Sequence, residues 1–367
     1  MLNSLFRTLR TPVCSSCAGT RATCWHISSG RGRHTQAAVC ETLGEPLVSH
    51  EAWPCPAELP AGHLRLRIAA AGVNFAELLQ IEGKYQERRE PPFVPGNECA
   101  GEVLELGSGS EASGLQPGDR VICLARGGAY AAEAVVSWTS CVPLGRSPAA
   151  ATADLAEAAS LLLAYGTAYL ALVRRARATK GETVLVTAAA GGVGLACVEI
   201  ARLLGLRVIA ACGSEVKLEA ARARGAEATG VLCGPGAPSF REQLRAAAGD
   251  CGVDIVVDMV GAELEAAVRS LNWEGRAVAV GFAGGSIPKV PANILLVKNV
   301  SVSGIFFGAY TQRAPEVLRE AMDQLVEWWL AGKLRPSVHA RVPLHSANEA
   351  LGILRSRANT GKVVLLP

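Results

Sequence analysis

The chain has 367 residues, enough for about two domains of average size, and half of its residues are apolar while 19% are charged. This composition excludes an intrinsically disordered chain, which would carry fewer apolar residues and more net charge. The formal charge of +3 arises at the N-terminus, because five arginines (positions 7, 10, 21, 31 and 33) precede the first acid, Glu41. The rest of the chain is close to neutral, so we expect no obligatory nucleic-acid partner.

The N-terminal segment has the composition of a targeting peptide. Its apolar residues Leu2, Leu5, Phe6 and Leu9 fall on one helical face, and residues 1–33 are rich in Arg, Ser and Thr without any acid. This pattern predicts a mitochondrial transit peptide over residues 1–33 and a location in the mitochondrial matrix, with a disordered basic tail as the alternative. The longest apolar stretch, residues 158–173, is too short and too polar for a membrane span, so we expect no membrane partner.

The 12 cysteines show no spacing typical of metal ligands or of a disulfide framework. The one C-x-x-C pair, Cys14 and Cys17, lies within the predicted transit peptide. Reduced and mostly buried thiols are therefore the expected state, and the sequence predicts no metal site.

Short apolar runs separated by Gly and Pro turns follow the N-terminus. Residues 64–69 alternate in polarity, residues 101–106 resemble a strand, and Pro117-Gly118-Asp119 forms a turn before the apolar run 121–124. This pattern of short apolar runs and turns predicts a β-rich domain, a small barrel, over residues 34–160.

Strands alternating with helices begin at Glu182. Predicted strands cover residues 184–187, 207–211, 253–257 and 276–280, with helical patterns between them at 194–204, 215–224 and 262–270. Such alternation predicts a parallel sheet covered by helices on both faces. Beyond it, the pattern predicts helices over 317–330 and 347–357 and a final strand over 362–366.

A glycine-rich turn follows the first of these strands. Its residues are Ala188, Ala189, Ala190, Gly191, Gly192, Val193 and Gly194. A dinucleotide pyrophosphate needs a tight turn, a close approach of the backbone and close packing of helix on strand, and Ala189, Gly191 and Gly194 occupy those three places. Its place between a strand and a helix favours a dinucleotide-binding turn over a simple helix start.

The end of the second strand bears on which nucleotide binds. An NAD-dependent protein would place Asp or Glu there to bind the ribose 2′-hydroxyl, whereas this strand ends in Gly213 and Ser214. Ser214 and Lys217 could instead bind the 2′-phosphate of NADPH. Glu215 beside them weakens this preference, and Lys217 as a solvated helix charge remains an open alternative.

Several motifs together resemble the medium-chain dehydrogenase/reductase superfamily, and in particular its zinc-free quinone oxidoreductase branch. They are AGVN (71–74), GKY (83–85), PFVPG (92–96) with Glu98 and Gly101, GDRV (118–121), YGTA (165–168), the turn 189–194, GSEVK (213–217) and TGKV (360–363). The resemblance covers nearly all of the chain from about Thr35 onward. It implies an α/β fold with two domains: a GroES-like β-barrel over residues 34–160 completed by 313–367, and a Rossmann doubly wound parallel sheet over 161–312.

The resemblance also implies function. It implies NADPH as cofactor, a small-molecule substrate, and a homodimer in which a strand near residues 300–306 joins the two sheets. Zinc-dependent members carry a cysteine and a histidine where this chain has the loop Val73-Asn74 and Asn97, so hydrogen bonds would have to stabilise the developing oxyanion.

Site residues follow from the same motifs. Asn74, Tyr85 and Thr167 match positions that face the nicotinamide in zinc-free relatives, and Tyr85 is the best candidate for a proton donor. The cofactor residues implied are Ala189, Gly191, Gly192, Val193, Gly194, Ser214, Lys217, Phe282 and Lys362. Structural alternatives stay open: Tyr85 could be a loop aromatic packing over the cleft, and Asn74 a turn residue that binds its own backbone.

The strand after Gly225-Ala226 departs from the pattern of the family. Relatives that bind NADPH commonly have a tyrosine in this strand, whereas residues 228–233 contain no aromatic side chain.

Two other functions remain open. The nearest alternative is a mitochondrial 2-enoyl-thioester reductase. A rival of another class is a non-catalytic NADPH-binding protein, crystallin-like or RNA-binding, which the near-neutral charge disfavours where RNA is concerned.

Overall fold

The computed structural model describes residues 33–234 and 236–367. The predicted transit peptide lies outside these residues, except for Arg33, which begins the first strand. The N-terminal part contains β1 (Arg33–Val39), β2 (Val48–Cys55), β3 (His63–Val73), α1 (Phe75–Ile81), β4 (Cys99–Leu106), β5 (Arg120–Cys123), β6 (Glu133–Ser137) and β7 (Cys141–Pro143). Three helices then lead to the next sheet: α2 (Pro148–Thr152), α3 (Leu155–Ala158) and α4 (Leu162–Tyr169).

The central part alternates strands and helices, as the sequence predicts. It contains β8 (Thr183–Thr187), α5 (Gly192–Leu203), β9 (Arg207–Cys212), α6 (Glu215–Arg222), β10 (Val231–Leu232), α7 (Phe240–Ala248), β11 (Val253–Asp258), α8 (Leu264–Arg269), β12 (Leu271–Ala279), α9 (Ala292–Lys298) and β13 (Ser301–Gly304). These strands form one parallel sheet in the order β10-β9-β8-β11-β12-β13. This is the Rossmann order, whose topological switch point lies between β8 and β11. Every residue of β8 is buried, because helices cover both faces of the sheet.

The C-terminal segment returns to the N-terminal sheet. It contains α10 (Phe307–Arg313), α11 (Pro315–Leu330), β14 (Val338–Pro343), α12 (Ala347–Arg355) and β15 (Lys362–Leu366). The second sheet has the order β14-β15-β3-β4-β5-β7, with β6 also paired to β3, and β15 runs antiparallel to β3 with Val363 opposite Val73. The fold prediction is confirmed: a GroES-like β domain is combined with a Rossmann domain. The limits proposed for each domain remain predictions.

A buried carboxylate ties the helices between the two sheets together. Glu199 of α5 is 4% exposed and accepts hydrogen bonds from the Tyr165 hydroxyl at 2.8 Å, from the Arg224 guanidinium at 2.6 Å and from the Arg335 amide at 3.1 Å. These contacts fix α4, which carries Thr167, against the Rossmann domain. In the described residues, no helix combines the length and the apolar character needed to cross a membrane.

Candidate active site

The glycine-rich turn opens α5 at the carboxyl end of β8. A Cβ atom at Gly194 would lie 2.2 Å from the Ala188 carbonyl oxygen and 2.7 Å from Ala189, so only glycine lets the helix pack this closely on the strand. Ala188 has a positive φ of 46°, which closes the turn. No side chain caps the first turn of α5. The amides of Gly192, Val193 and Gly194 are therefore free of an intrahelical partner and can bind an anion, with help from the helix dipole.

Gly192 is constrained by another part of the chain. A Cβ atom there would lie 2.8 Å from Cδ of Lys362, whose aliphatic stem crosses over the turn. The neighbouring Gly361 amide donates to the Ala190 carbonyl at 2.8 Å. The segment 360–363 therefore joins the dinucleotide turn to the β-barrel.

The Lys362 ammonium lies in a buried polar cluster. It donates to the Val73 carbonyl at 3.1 Å, to Oδ1 of Asn74 and to Oε1 of Glu98 at 2.9 Å. Lys362 is 5% exposed and Glu98 is fully buried. Since these contacts use all three ammonium hydrogens, the stem is the part of Lys362 that lies beside the turn. Its role in cofactor binding stays a prediction.

Asn74 is held between two buried carboxyl groups. Its Nδ2 donates to Oε1 of Glu98 at 3.1 Å and to Oε1 of Glu77 at 3.3 Å. Asn97 donates to the same Glu77 oxygen through its amide nitrogen at 3.0 Å and its side chain at 2.9 Å. Burial raises the pKa of Glu77 to about 7, against the opposing effect of the Lys362 charge. Sequence reasoning missed Glu77, although its position one helical turn after Asn74 could have indicated it.

The other two predicted catalytic residues lie on elements attached to this cluster. Thr167 is 6% exposed, and its hydroxyl donates to the Leu163 carbonyl at 2.7 Å, one turn earlier in α4. The Leu163 amide in turn donates to Oε2 of Glu98 at 2.9 Å. Tyr85 follows α1, and burial raises the pKa of its phenol to about 12, with smaller contributions from Glu87 and Glu77. The phenol is therefore protonated at neutral pH. The catalytic roles of these residues stay predictions.

The residues predicted to choose the nucleotide lie at the start of α6. Ser214 is exposed, and its side chain caps no helix amide. Nζ of Lys217 donates to the Arg357 carbonyl at 2.6 Å. Glu215, the acid that weakened the NADPH prediction, forms an ion pair with Arg222. Arg222 also pairs with Glu219, so its one positive charge is shared and offsets only part of the objection to a 2′-phosphate.

Arg357 is a residue that sequence reasoning missed. It lies within contact of Lys217, and its guanidinium donates to the Ala283 carbonyl at 2.6 Å, next to Phe282. Phe282 is 41% exposed in the loop after β12. The two arginines shortly before Thr360, at positions 355 and 357, were the available signal for Arg357. Folding thus brings the backbone of Arg357 to Lys217 and its side chain to the loop that carries Phe282.

A buried aspartate shapes the crevice at the switch point. Asp258 at the end of β11 is fully buried and accepts a hydrogen bond from the Thr187 hydroxyl at 2.6 Å and from the Gly261 amide at 2.8 Å. These bonds fix the ends of β8 and β11, where ligands of this fold class bind. The sequence pattern indicated Thr187 only as the end of a strand, and sequence reasoning missed Asp258.

Among residues 33–234 and 236–367, no group of three or more His, Cys, Asp or Glu side chains is arranged to hold a metal ion. Cys99, Cys123 and Cys141 lie opposite one another on three adjacent strands and are buried. Neighbouring thiols and burial hold the pKa of Cys123 well above its ordinary value, so this thiol is unreactive at neutral pH.

Comparison with known proteins agrees with this architecture. The family model of the alcohol dehydrogenase GroES-like domain matches residues 60–146, and that of the zinc-binding dehydrogenase matches residues 192–327. The chain is 40% identical to quinone oxidoreductase-like protein 2 of Bos taurus over 338 residues, covering 92% of this chain and 93% of that protein.

Two solved structures share the fold. The quinone oxidoreductase of Thermus thermophilus, described alone and in complex with NADPH, is 34% identical, with a TM-score of 0.76 over 90% of this chain and 100% of that one. The Escherichia coli quinone oxidoreductase complexed with NADPH is 28% identical, with a TM-score of 0.80 over 91% of this chain and 99% of that one. The chain therefore belongs to the quinone oxidoreductase branch of the medium-chain dehydrogenase/reductase superfamily.

Proposed function

We propose that this protein is an NADPH-dependent oxidoreductase that reduces quinones or related activated carbonyl and alkene compounds without zinc. The observation that carries the proposal is the link made by Lys362, whose stem packs on the dinucleotide turn while its ammonium holds Asn74. A nucleotide bound at the turn and an acceptor bound at Asn74 would thus lie on opposite sides of Lys362. The NADPH complexes of two relatives support the choice of cofactor.

The chain's own residues supply binding and polarity in this proposal. Bound NADPH supplies the hydride. The α5 amides and the helix dipole hold the pyrophosphate. The Tyr85 phenol, kept protonated by its raised pKa, donates a hydrogen bond to the acceptor oxygen as negative charge develops there. The Lys362 ammonium, at hydrogen-bond distance from Asn74, favours the same charge.

The substrate class is tested by following NADPH oxidation with ortho-quinones and with crotonyl thioesters side by side. We expect turnover with quinones, and we expect chelators to leave the rate unchanged. In Tyr85→Phe the rate should fall by about 10²-fold or more, the usual contribution of a positioned proton donor. Turnover confined to crotonyl thioesters would favour the enoyl-thioester reductase alternative. NADPH binding without oxidation by any acceptor would favour the non-catalytic alternative.

NADPH is expected to bind more tightly than NADH. A charge-assisted hydrogen bond is worth about 1.5–3 kcal/mol, or roughly ten- to hundredfold in affinity. Lys217→Ala should therefore lose NADPH affinity selectively, because only NADPH carries the 2′-phosphate. The measurement is a titration of both nucleotides against the parent and the variant.

The exposed Lys333 provides a matched control, since it lies on the turn after α11. Lys333→Ala should bind both nucleotides like the parent. An equal loss for NADPH and NADH in Lys217→Ala would show that Lys217 is only a surface charge bonded to the Arg357 carbonyl.

Assembly and location are further parts of the proposal. In the described chain β13 is an edge strand of the Rossmann sheet, and Leu296 and Val297 of the preceding helix are 81% and 65% exposed. An unpaired edge beside apolar side chains supports a homodimer formed at this edge, which sedimentation would detect.

The composition of residues 1–33 supports a location in the mitochondrial matrix. Import of a reporter fused to these residues tests this location.

A further inference from the structure

Glu77 is a buried acidic residue for which the proposed reaction has no assigned use. It lies in the first turn of α1 and is fully buried. It contacts Asn74 and Asn97, the residues that stand in the loops where zinc-dependent relatives place ligands. A carboxyl group in this position either carries a proton or brings a buried negative charge to the site.

The hydrogen bonds of Glu77 are distributed unequally between its two oxygens. Oε1 accepts three N–H groups: Nδ2 of Asn74 at 3.3 Å, the Asn97 amide at 3.0 Å and Nδ2 of Asn97 at 2.9 Å. Oε2 is buried and has no hydrogen-bond partner among the described residues. Because N–H groups can only donate, a proton on this carboxyl group belongs on Oε2.

Burial favours such a proton; Glu98 adds to this effect, and the charge of Lys362 opposes it. The ionisable groups that face it are Lys362 of β15, Glu98 before β4, and the phenols of Tyr85 and Tyr130. Glu98 already takes the Lys362 ammonium in a direct ion pair at 2.9 Å. An ionised Glu77 would thus be a second carboxylate in a cluster with one cation, and an uncompensated buried charge is costly.

We propose that Glu77 is a protonated positioning residue of the active site, which holds Asn74 and Asn97 through Oε1 while it carries a proton on Oε2. The inference rests on the proposed function for its effect on turnover. When Glu77 loses this proton, a negative charge appears beside Asn74, where the acceptor oxygen must itself become negative. Turnover then falls, because the site no longer favours the developing charge.

The kinetic test compares the pH dependence of kcat in three proteins. In the parent, kcat should fall about tenfold between about pH 6 and pH 8, as a group titrating near the middle of that range ionises. Glu77→Gln keeps an oxygen acceptor for Asn74 and Asn97 and cannot ionise, so its kcat should stay within about twofold across the same range. The matched control is Glu82→Gln, since Glu82 follows the same helix but pairs with Lys84 and Arg355. The kcat of Glu82→Gln should fall with rising pH as it does in the parent.

A second readout needs neither cofactor nor acceptor. Since the pKa of Glu77 is raised from 4.5 to about 7, the unfolded chain loses this proton at lower pH than the folded protein does. The folding equilibrium of the parent should therefore weaken by up to about 100-fold relative to Glu77→Gln as pH rises from about 5 to 8, and level off above that. Urea unfolding at several pH values measures this difference.

The outcomes separate the proposal from the proposed function. The same alkaline fall in the parent and in Glu77→Gln, or unfolding profiles that run parallel, would overturn the role of Glu77. If no acceptor supports turnover, the proposed function fails, while the unfolding comparison still decides whether Glu77 holds a proton. If Glu77→Gln does not fold, infrared spectra of the parent decide instead. A protonated-carboxyl band lost between about pH 6 and 8 is expected, and its absence at the lower pH overturns the proposal.

Discussion

Replacing Lys362 with methionine is expected to destabilise the folded protein by about 3–5 kcal/mol, because it leaves Glu98 as a buried charge without its cation. The two side chains are 6% and 0% exposed, so water cannot take over the role of the ammonium. The free energy of unfolding in urea measures the effect. Glu98→Gln alone should also be costly, since it leaves the ammonium of Lys362 unpaired.

The double variant Lys362→Met with Glu98→Gln tests the pairing itself. It should cost less than the sum of the two single changes, because neither charge is then left alone. The exposed pair Arg269–Glu265 on α8 provides the control, and Arg269→Met should cost less than about 1 kcal/mol. If Lys362→Met costs no more than Arg269→Met, the buried pair does not stabilise this fold.

The second large effect is expected at Gly194. In Gly194→Ala the new methyl group would overlap the backbone of Ala188 and Ala189, so α5 must move away from β8. The amides that bind the pyrophosphate move with it, and NADPH affinity should fall by at least about 100-fold, or about 2.7 kcal/mol. Calorimetric titration with NADPH measures this loss.

Gly352 of α12 is the matched control for this change. A Cβ atom there meets nothing within 4 Å, so Gly352→Ala should leave NADPH affinity unchanged and stabilise the helix by about 0.5–1 kcal/mol. Parental affinity in Gly194→Ala would show that the close packing of α5 on β8 is not required for binding.

Local pattern in the sequence was enough for most of the Rossmann domain, although it did not predict α7 and α9. The apolar run of β8, the turn at 188–194 and the helical period of α5 are contiguous, and each follows from short-range preferences of strand, turn and helix. Strand–helix alternation then requires parallel pairing, because a crossover helix returns the chain in the same direction. The family motifs are also short local patterns, and together they identified the family.

The active site was decided by the tertiary structure. Lys362 and Asn74 are 288 residues apart in the chain and meet only because β15 pairs with β3. The burial of Glu77 and the contact of Lys217 with Arg357 likewise depend on elements that are distant in sequence. The charge state of a carboxyl group follows from its desolvation and its neighbours, which no local pattern specifies. The sequence by itself therefore determined where a nucleotide turn forms, and only the folded chain decided which charges surround it.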